Sequence, residues 1–248
     1  MKPARPASEM TASELARYID HSVLKPELTP DEVRRETAAA IRYGCRTVCV
    51  NPASVAVAAE LCAGTDTGVC VVADFPFGCS STSSKVAQAE IAIASGATEL
   101  DVVAGYGWLR AGLTAAVEED LRPVVERCHE AGVLVKVILE TDALTMEQVR
   151  TGVDAAVAAG ADFVKTSTGF YTGATQHDRT GAFDEMVQHL MTCAAGRCQV
   201  KGSGGIRDRD HFLRLVDLGV DRVGIGYRST PVVLGLAADG VTGGPVAP

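Results

Sequence analysis

Between Leu134 and Ile206 the chain reads LVKVILE (134–140), DFVKTSTGF (162–170) and QVKGSGGI (199–206), three short apolar runs with strand character. Each carries one lysine, Lys136, Lys165 and Lys201, at a similar place. An amine inside an apolar strand is costly unless paired, so three of them need a reason. Desolvation and repulsion between neighbouring cations favour the neutral amine, the form that attacks a carbonyl and makes a Schiff base. The pattern points to covalent imine chemistry.

Working outward, five further runs have the same character: YIDHSVL (18–24), TVCVN (47–51), VCVVADF (69–75), ELDVVA (99–104) and RVGIG (222–226). Near-continuous Val, Ile and Leu suit parallel strands covered on both faces. Helix signals separate them. Thr29-Pro30-Asp31-Glu32 combines an N-cap, a proline at the first helical position and a capping-box glutamate. Gly44, Gly96, Gly132, Gly160 and Gly219 each follow a helical run and precede a strand, the usual place for a C-terminal glycine stop. TASELARY adds a leading helix capped by Thr11, with Glu14 three residues later.

Eight alternating βα units favour one closed (β/α)8 barrel, an α/β fold of the TIM type, as a single domain over residues 1–248. Residues 1–17 form an N-terminal extension with the extra helix, and 238–248 read as a flexible tail. An open doubly wound sheet is the competitor, weakened by the lack of GxGxxG after the first strand.

The chain has 248 residues, 47% hydrophobic, with a net charge of -8 and no Lys/Arg-rich run. That argues against nucleic-acid binding. The opening MKPARPASEM lacks an apolar signal core, and no stretch approaches a membrane span. Eight cysteines without CxxC spacing read as reduced thiols of a cytoplasmic protein. The five histidines form no ligand pair, so no metal and no cofactor are expected. The expected partner is a small-molecule substrate, and a homodimer is the simplest assembly.

Catalytic groups of such barrels sit at the C-terminal ends of the strands. Asp20, Cys49, Asn51, Asp74, Asp101, Glu140, Lys165, Thr166, Lys201 and Ser203 fall late in their strands. Lys165, ahead of Thr-Ser-Thr-Gly, is the candidate nucleophile; the alternative is an amine snorkelling to the mouth or pairing with Glu140. Lys201 on the next strand supplies the cation that suppresses protonation of Lys165. Asp101 can exchange protons with a carbinolamine or serve as a lysine's counter-ion. Lys136 and Glu140 share a strand face, so both are expected to point inward, as an ion pair or in a catalytic role.

Gly202, Gly204 and Gly205 lie in a glycine-rich connection suited to a phosphate, as do Thr168 and Gly169 in TGFYTGAT. Gly224 and Gly226, near Arg228 and Ser229, form a third such segment. Asp20 and Cys49 are candidates for lining the pocket; the thiol reads as a buried small apolar residue rather than a nucleophile.

Taken in order, IDHSVLKP, TVCVNP, ELDVVAGYGWLRAG, VKVILET, ADFVKTSTGF and VKGSGGIR closely resemble the motifs of deoxyribose-phosphate aldolases, from about residue 18 to 226. The resemblance implies a class I, metal-independent aldolase on a (β/α)8 barrel. It implies the Schiff-base role for Lys165, the role of second lysine in proton transfer for Lys201 and the proton-relay role for Asp101. Members cleave 2-deoxy-D-ribose 5-phosphate to D-glyceraldehyde 3-phosphate and acetaldehyde, or run the reverse condensation. Three departures concern phosphate recognition: GFYTGAT is one glycine short, Gly105 replaces a common asparagine, and strand eight ends Gly226-Tyr227-Arg228 rather than in small residues and serines. An inactive sugar-phosphate-binding barrel, or an aldolase for a non-phosphorylated aldehyde, are the competing expectations.

Overall fold

The computed structural model describes residues 2–236, so the tail expected at 238–248 lies outside the described residues. Eight strands run β1 Ile19–Val23, β2 Thr47–Val50, β3 Gly68–Ala73, β4 Glu99–Val103, β5 Leu134–Ile138, β6 Phe163–Lys165, β7 Gln199–Ser203 and β8 Arg222–Gly226. They pair in chain order, all parallel, and β8 closes onto β1. The closure through Ile19↔Val223 and Asp20↔Gly224 makes this the closed barrel and excludes the open sheet.

The helices are α1 Ala12–Ala16, α2 Pro30–Tyr43, α3 Val55–Cys62, α4 Thr82–Ala94, α5 Tyr106–Arg110, α6 Thr114–Glu130, α7 Met146–Ala158, α8 Asp184–Ala194, α9 Arg209–Leu218 and α10 Thr230–Val233. Their ends follow local chemistry. At α2 the Thr29 hydroxyl accepts from the Glu32 N–H, while Glu32 accepts from the Thr29 N–H at 2.8 Å. Thr11 and Glu14 form the same box on α1, and Thr145 with Gln148 adds one on α7 that the sequence reading did not single out. Gly44 ends α2 at φ 72°, in the left-handed region where a side chain would be strained. The other four glycine stops also have positive φ.

Several strands end one or two residues earlier than expected, β6 at Lys165 among them, and two of these ends have a visible cause in the backbone. β3 stops at Ala73 because Asp74 turns to φ 50°, and β5 stops at Ile138 because Glu140 sits at φ 58°. Neither residue is glycine, so neither turn was marked in the sequence.

Strand side chains alternate between helix layer and barrel interior. Val48, Val71, Leu100, Val137, Val164 and Val223 face outward and join Leu121, Val153, Phe212 and Leu215 in one apolar shell. The interior is polar: Asp20, Asp101, Lys136 and Lys201 are all fully buried. No helix among the described residues is long and apolar enough to cross a membrane.

Candidate active site

Lys165 and Lys201 are register partners on β6 and β7, so their side chains leave the sheet side by side on the same face. Both amines sit 2.8 Å from the same oxygen, Asp101 Oδ2, which reaches them from β4. Lys136 Nζ lies 2.8 Å from Asp101 Oδ1. The structure thus brings the three catalytic candidates together, with Lys165 and Lys201 meeting at the carboxylate of Asp101.

Beneath them the network continues. Asp20 accepts from Lys201 at 2.5 Å, from Thr47 at 2.7 Å and from Arg222 at 2.6 Å. Glu99 pairs with Lys136 at 2.6 Å and Arg222 at 3.0 Å. The Phe163 ring sits 5.9 Å from Lys136 Nζ and 5.4 Å from the Arg222 guanidinium. Lys136, Lys165, Lys201 and Arg222 therefore face Asp20, Glu99 and Asp101, four cations against three carboxylates.

Burial by itself would raise the acids and lower the amines, but mutual attraction prevails. Lys136, Lys165 and Lys201 hold the fully buried Asp101 well below the usual carboxylate range, and Lys201, Lys136 and Arg222 do the same for Asp20. In turn Asp101 and Asp20 raise Lys201 despite its desolvation, and Asp101 leads the raising of Lys136. These two lysines are fixed cations. Lys165 differs in position: it makes one carboxylate contact and is 4% exposed, where Lys136 and Lys201 are 0%. It is the amine at the mouth.

Lys136 points inward as expected, but its partners are Glu99, Asp101 and Asp20 rather than Glu140. The left-handed turn at Glu140 breaks the alternation, and its carboxylate accepts from the Thr168 hydroxyl and backbone N–H. Lys165 likewise pairs with Asp101 and not with Glu140. Burial pushes the Glu140 carboxyl up to about 7, against the hydrogen bond from Thr168. Thr168 is thereby held at the loop after β6, where its hydroxyl also accepts from Phe170 N–H at 3.0 Å.

The remaining candidates divide. Gly226 opens onto space at the barrel mouth, and Gly204 and Gly205 turn the β7 loop at φ 92° and 75°, with Gly169 close to Gly204. Gly224 lies inside: a Cβ there would meet Ser203 Cβ at 2.9 Å and Lys201 Cε at 3.3 Å, so its bareness leaves room for the lysine. Gly202 is a correction, because alternation turns it outward against Ala182, Val187 and Leu215, away from the pocket. Asp20 lies below Lys201 with both oxygens engaged. Cys49 packs with Leu24, Cys70 and Val72 beside Phe75 and Phe170. Asn51 donates to Leu24 O at 3.2 Å, and Asp74 accepts from Ser80 and lies 3.4 Å from the buried Lys85. Asn51 and Asp74 hold loops rather than the lumen.

Sequence reasoning missed Arg222, Glu99, Cys70 and the aromatic lip. Phe75 meets Phe170 edge-on at 5.3 Å, Tyr106 meets Tyr171 at 6.4 Å, and Lys25 lies 5.4 Å over Phe170. Tyr227 packs against the apolar shell, with Arg228 stacked on it at 5.3 Å, so the tyrosine does not narrow the mouth. Glu99 and Arg222 had a visible signal, charged residues at the first position of apolar strands. The ligand atoms of Cys49, Cys70 and Asp101 lie within 4.8 Å of one another, as do those of Asp20, Cys70 and Glu99. Lys136 bonds into both groups, so their carboxylates already have a cation.

An amine at a barrel mouth, a neighbouring fixed cation and a shared carboxylate can make and break an imine and move its protons. Comparison with known proteins agrees with that chemistry. A model described as DeoC/LacD family aldolase matches residues 15–237. The deoxyribose-phosphate aldolase of Desulfitobacterium hafniense (strain DSM 10664 / DCB-2) is 40% identical over 215 residues, covering 87% of this chain and 95% of that protein. That of Aciduliprofundum boonei (strain DSM 19572 / T469) is 40% identical over 224 residues, covering 90% and 97%. Among solved structures, the tetrameric deoxyribose phosphate aldolase from Aeropyrum pernix superposes with a TM-score of 0.82 at 31% identity, covering 94% and 97%. The motifs, the closed barrel and these matches have one conclusion: the chain belongs to the DeoC/LacD family of aldolases.

Proposed function

We propose that this protein is a class I aldolase that reversibly cleaves 2-deoxy-D-ribose 5-phosphate to D-glyceraldehyde 3-phosphate and acetaldehyde through an imine on Lys165. The observation that carries the reading is the pair of buried amines sharing Asp101 Oδ2, of which Lys165 alone keeps any solvent exposure, at 4% against 0% for Lys201. Loss of a proton from Lys165 balances the interior charge, leaving a free amine that attacks C1 of the open-chain aldehyde. The carbinolamine loses water to give an iminium, with Asp101 and Lys201 placed to pass the protons. The iminium accepts the electron pair of the C2–C3 bond as the C3 hydroxyl gives up its proton, releasing glyceraldehyde 3-phosphate. Protonation of the enamine at C2 and hydrolysis then free acetaldehyde and the lysine.

The 5-phosphate reaches toward the loops carrying Gly169, Gly204, Gly205 and Gly226, with Arg228 exposed beside the last of them. The departure at Tyr227-Arg228 leaves that end of the pocket open, since Tyr227 packs against the apolar shell with Arg228 stacked on it, and this supports the phosphorylated substrate over the non-phosphorylated aldehyde. The protein is further proposed to act in the cytoplasm and as a homo-oligomer, with a dimer the simplest closed form.

Borohydride reduction in the presence of acetaldehyde tests the core of this reading. The expected result is one added ethyl group on Lys165 by peptide mass spectrometry and none in Lys165→Ala; an unmodified Lys165 would instead favour an inactive binder. Cleavage assays on deoxyribose with and without its 5-phosphate test the substrate, and equal kcat/KM for the two would reject the phosphate requirement.

A further inference from the structure

Asp101 receives four donors. Lys165 and Lys201 approach Oδ2, Lys136 approaches Oδ1, and the fourth is the Cys70 thiol, 3.1 Å from Oδ1. Among these four Cys70 alone is neutral. It stands on β3, beside the β4 strand that carries Asp101, and it is fully buried. Its sulfur also accepts from Lys136 Nζ at 3.3 Å, so the thiol links the cation to the carboxylate. Burial, its neighbour Cys49 and the Asp101 charge all push the Cys70 thiol well above its ordinary range, so the S–H persists as a donor.

The chemistry makes that donor useful. The terminal torsion of an aspartate is broad and two-fold, so a relay carboxylate aims one oxygen reliably only if the other is held. Three ammonium groups hold Asp101 strongly, but each also withdraws the charge that makes it a base. A thiol is a weak donor and costs the carboxylate little of its basicity.

We propose that Cys70 is a positioning residue for the proton-transfer steps: its S–H and its contact with Lys136 pin Asp101 Oδ1, so that Oδ2 stays aimed at Lys165 and Lys201. This inference rests on the reading of Asp101 as the proton-relay group. Cys70 touches no reacting atom and leaves imine formation possible without it. When Oδ2 takes a proton, Oδ1 becomes the carbonyl oxygen of the acid and still accepts from the thiol, so the pin holds through the cycle.

The test compares Cys70→Val, which keeps the apolar volume and loses the donor, with Cys70→Ser, which keeps a donor. The readouts are melting temperature, kcat and KM for cleavage of 2-deoxyribose 5-phosphate, their pH profiles, and deuterium uptake into the acetaldehyde methyl group in D2O. Cys70→Val is expected to lower kcat and deuterium uptake together, roughly tenfold, as for one lost hydrogen bond to a charged group, with KM nearly unchanged. Cys70→Ser is expected to recover most of both. Wild-type kcat and uptake in Cys70→Val overturn the proposal. So does a folded Cys70→Ser as impaired as Cys70→Val, which would make the role one of packing. Should Cys70→Val not fold, Cys70→Ala makes the same comparison. Asp101→Asn separates the parent reading: full kcat and uptake in that variant would sink the relay itself, whatever the Cys70 variants do.

Discussion

Lys201 shows how much one side chain decides. It bridges Asp20 and Asp101, and it shares Asp101 Oδ2 with Lys165. Replacing it with leucine removes the amine that joins Asp20 to Asp101 and the neighbour of Lys165 on Asp101 Oδ2. Lys201→Leu is expected to slow imine formation on Lys165, read by borohydride trapping, by roughly tenfold or more, as for loss of a group placed to pass the proton. An unchanged trapping rate in the folded variant would contradict this role. Glu140 gives a second residue-scale outcome. Its carboxyl is pushed up to about 7 by burial, from an ordinary value of 4.5. The folded protein thus keeps a proton that the unfolded chain has lost, and this contribution is full below 4.5 and disappears as pH rises through about 7. Glu140→Gln has no such proton to lose. Its melting temperature relative to wild type should therefore rise from about pH 5 to about pH 8. Lys165, Lys201 and Asp101 were legible because an amine or acid in an apolar strand stands out. The partner of Glu140 was not, because its left-handed backbone departs from the period-two rule used to aim it.

At the scale of elements, the caps and stops were the most readable features, since each depends on residues within a few positions of one another. All eight strands were placed, and the errors lie at ends such as Ala73 and Ile138, where a non-glycine residue turns left-handed for tertiary reasons. The loop after β6 is fixed by contacts no local pattern could reveal. Gly181 donates to Asp142 Oδ1 at 2.7 Å, and Ala182 donates to Gly204 O at 3.0 Å, docking that loop onto the β7 turn. Gly181 lies at φ 72°, and a Cβ there would come within 2.3 Å of Gly204 O. Gly181→Ala must therefore separate two loops that frame the mouth. The expected cost is roughly 1–3 kcal/mol in urea unfolding, accompanied by a fall in kcat/KM. Wild-type values of both would show that the two loops tolerate separation.

For the molecule as a whole, closure of the barrel brings together what the sequence keeps apart. Arg222 on the last strand meets Asp20 on the first and Glu99 on the fourth. The expected closure fixed which strands are neighbours but not which side chains meet across the lumen, so these partnerships were not read from the sequence. Glu99 belongs to a buried set that already has more cations than carboxylates, so Glu99→Gln takes one carboxylate from Lys136 and Arg222 and leaves them to share Asp20 and Asp101. The expected loss is about 3–5 kcal/mol of stability by chemical denaturation, typical of breaking a buried ion pair by removing one partner. A loss well under 1 kcal/mol would mean that water enters the lumen and screens it.

The imbalance of that set also bears on the covalent intermediate. With every group ionised, these seven side chains would carry one surplus positive charge, which the proposed loss of a proton from Lys165 removes. An iminium on Lys165 reinstates the same surplus at nearly the same point. The electron-withdrawing centre that drives carbon–carbon cleavage thus arises where the surrounding dipoles already suit a cation, and little reorganisation is left for the bond-breaking step.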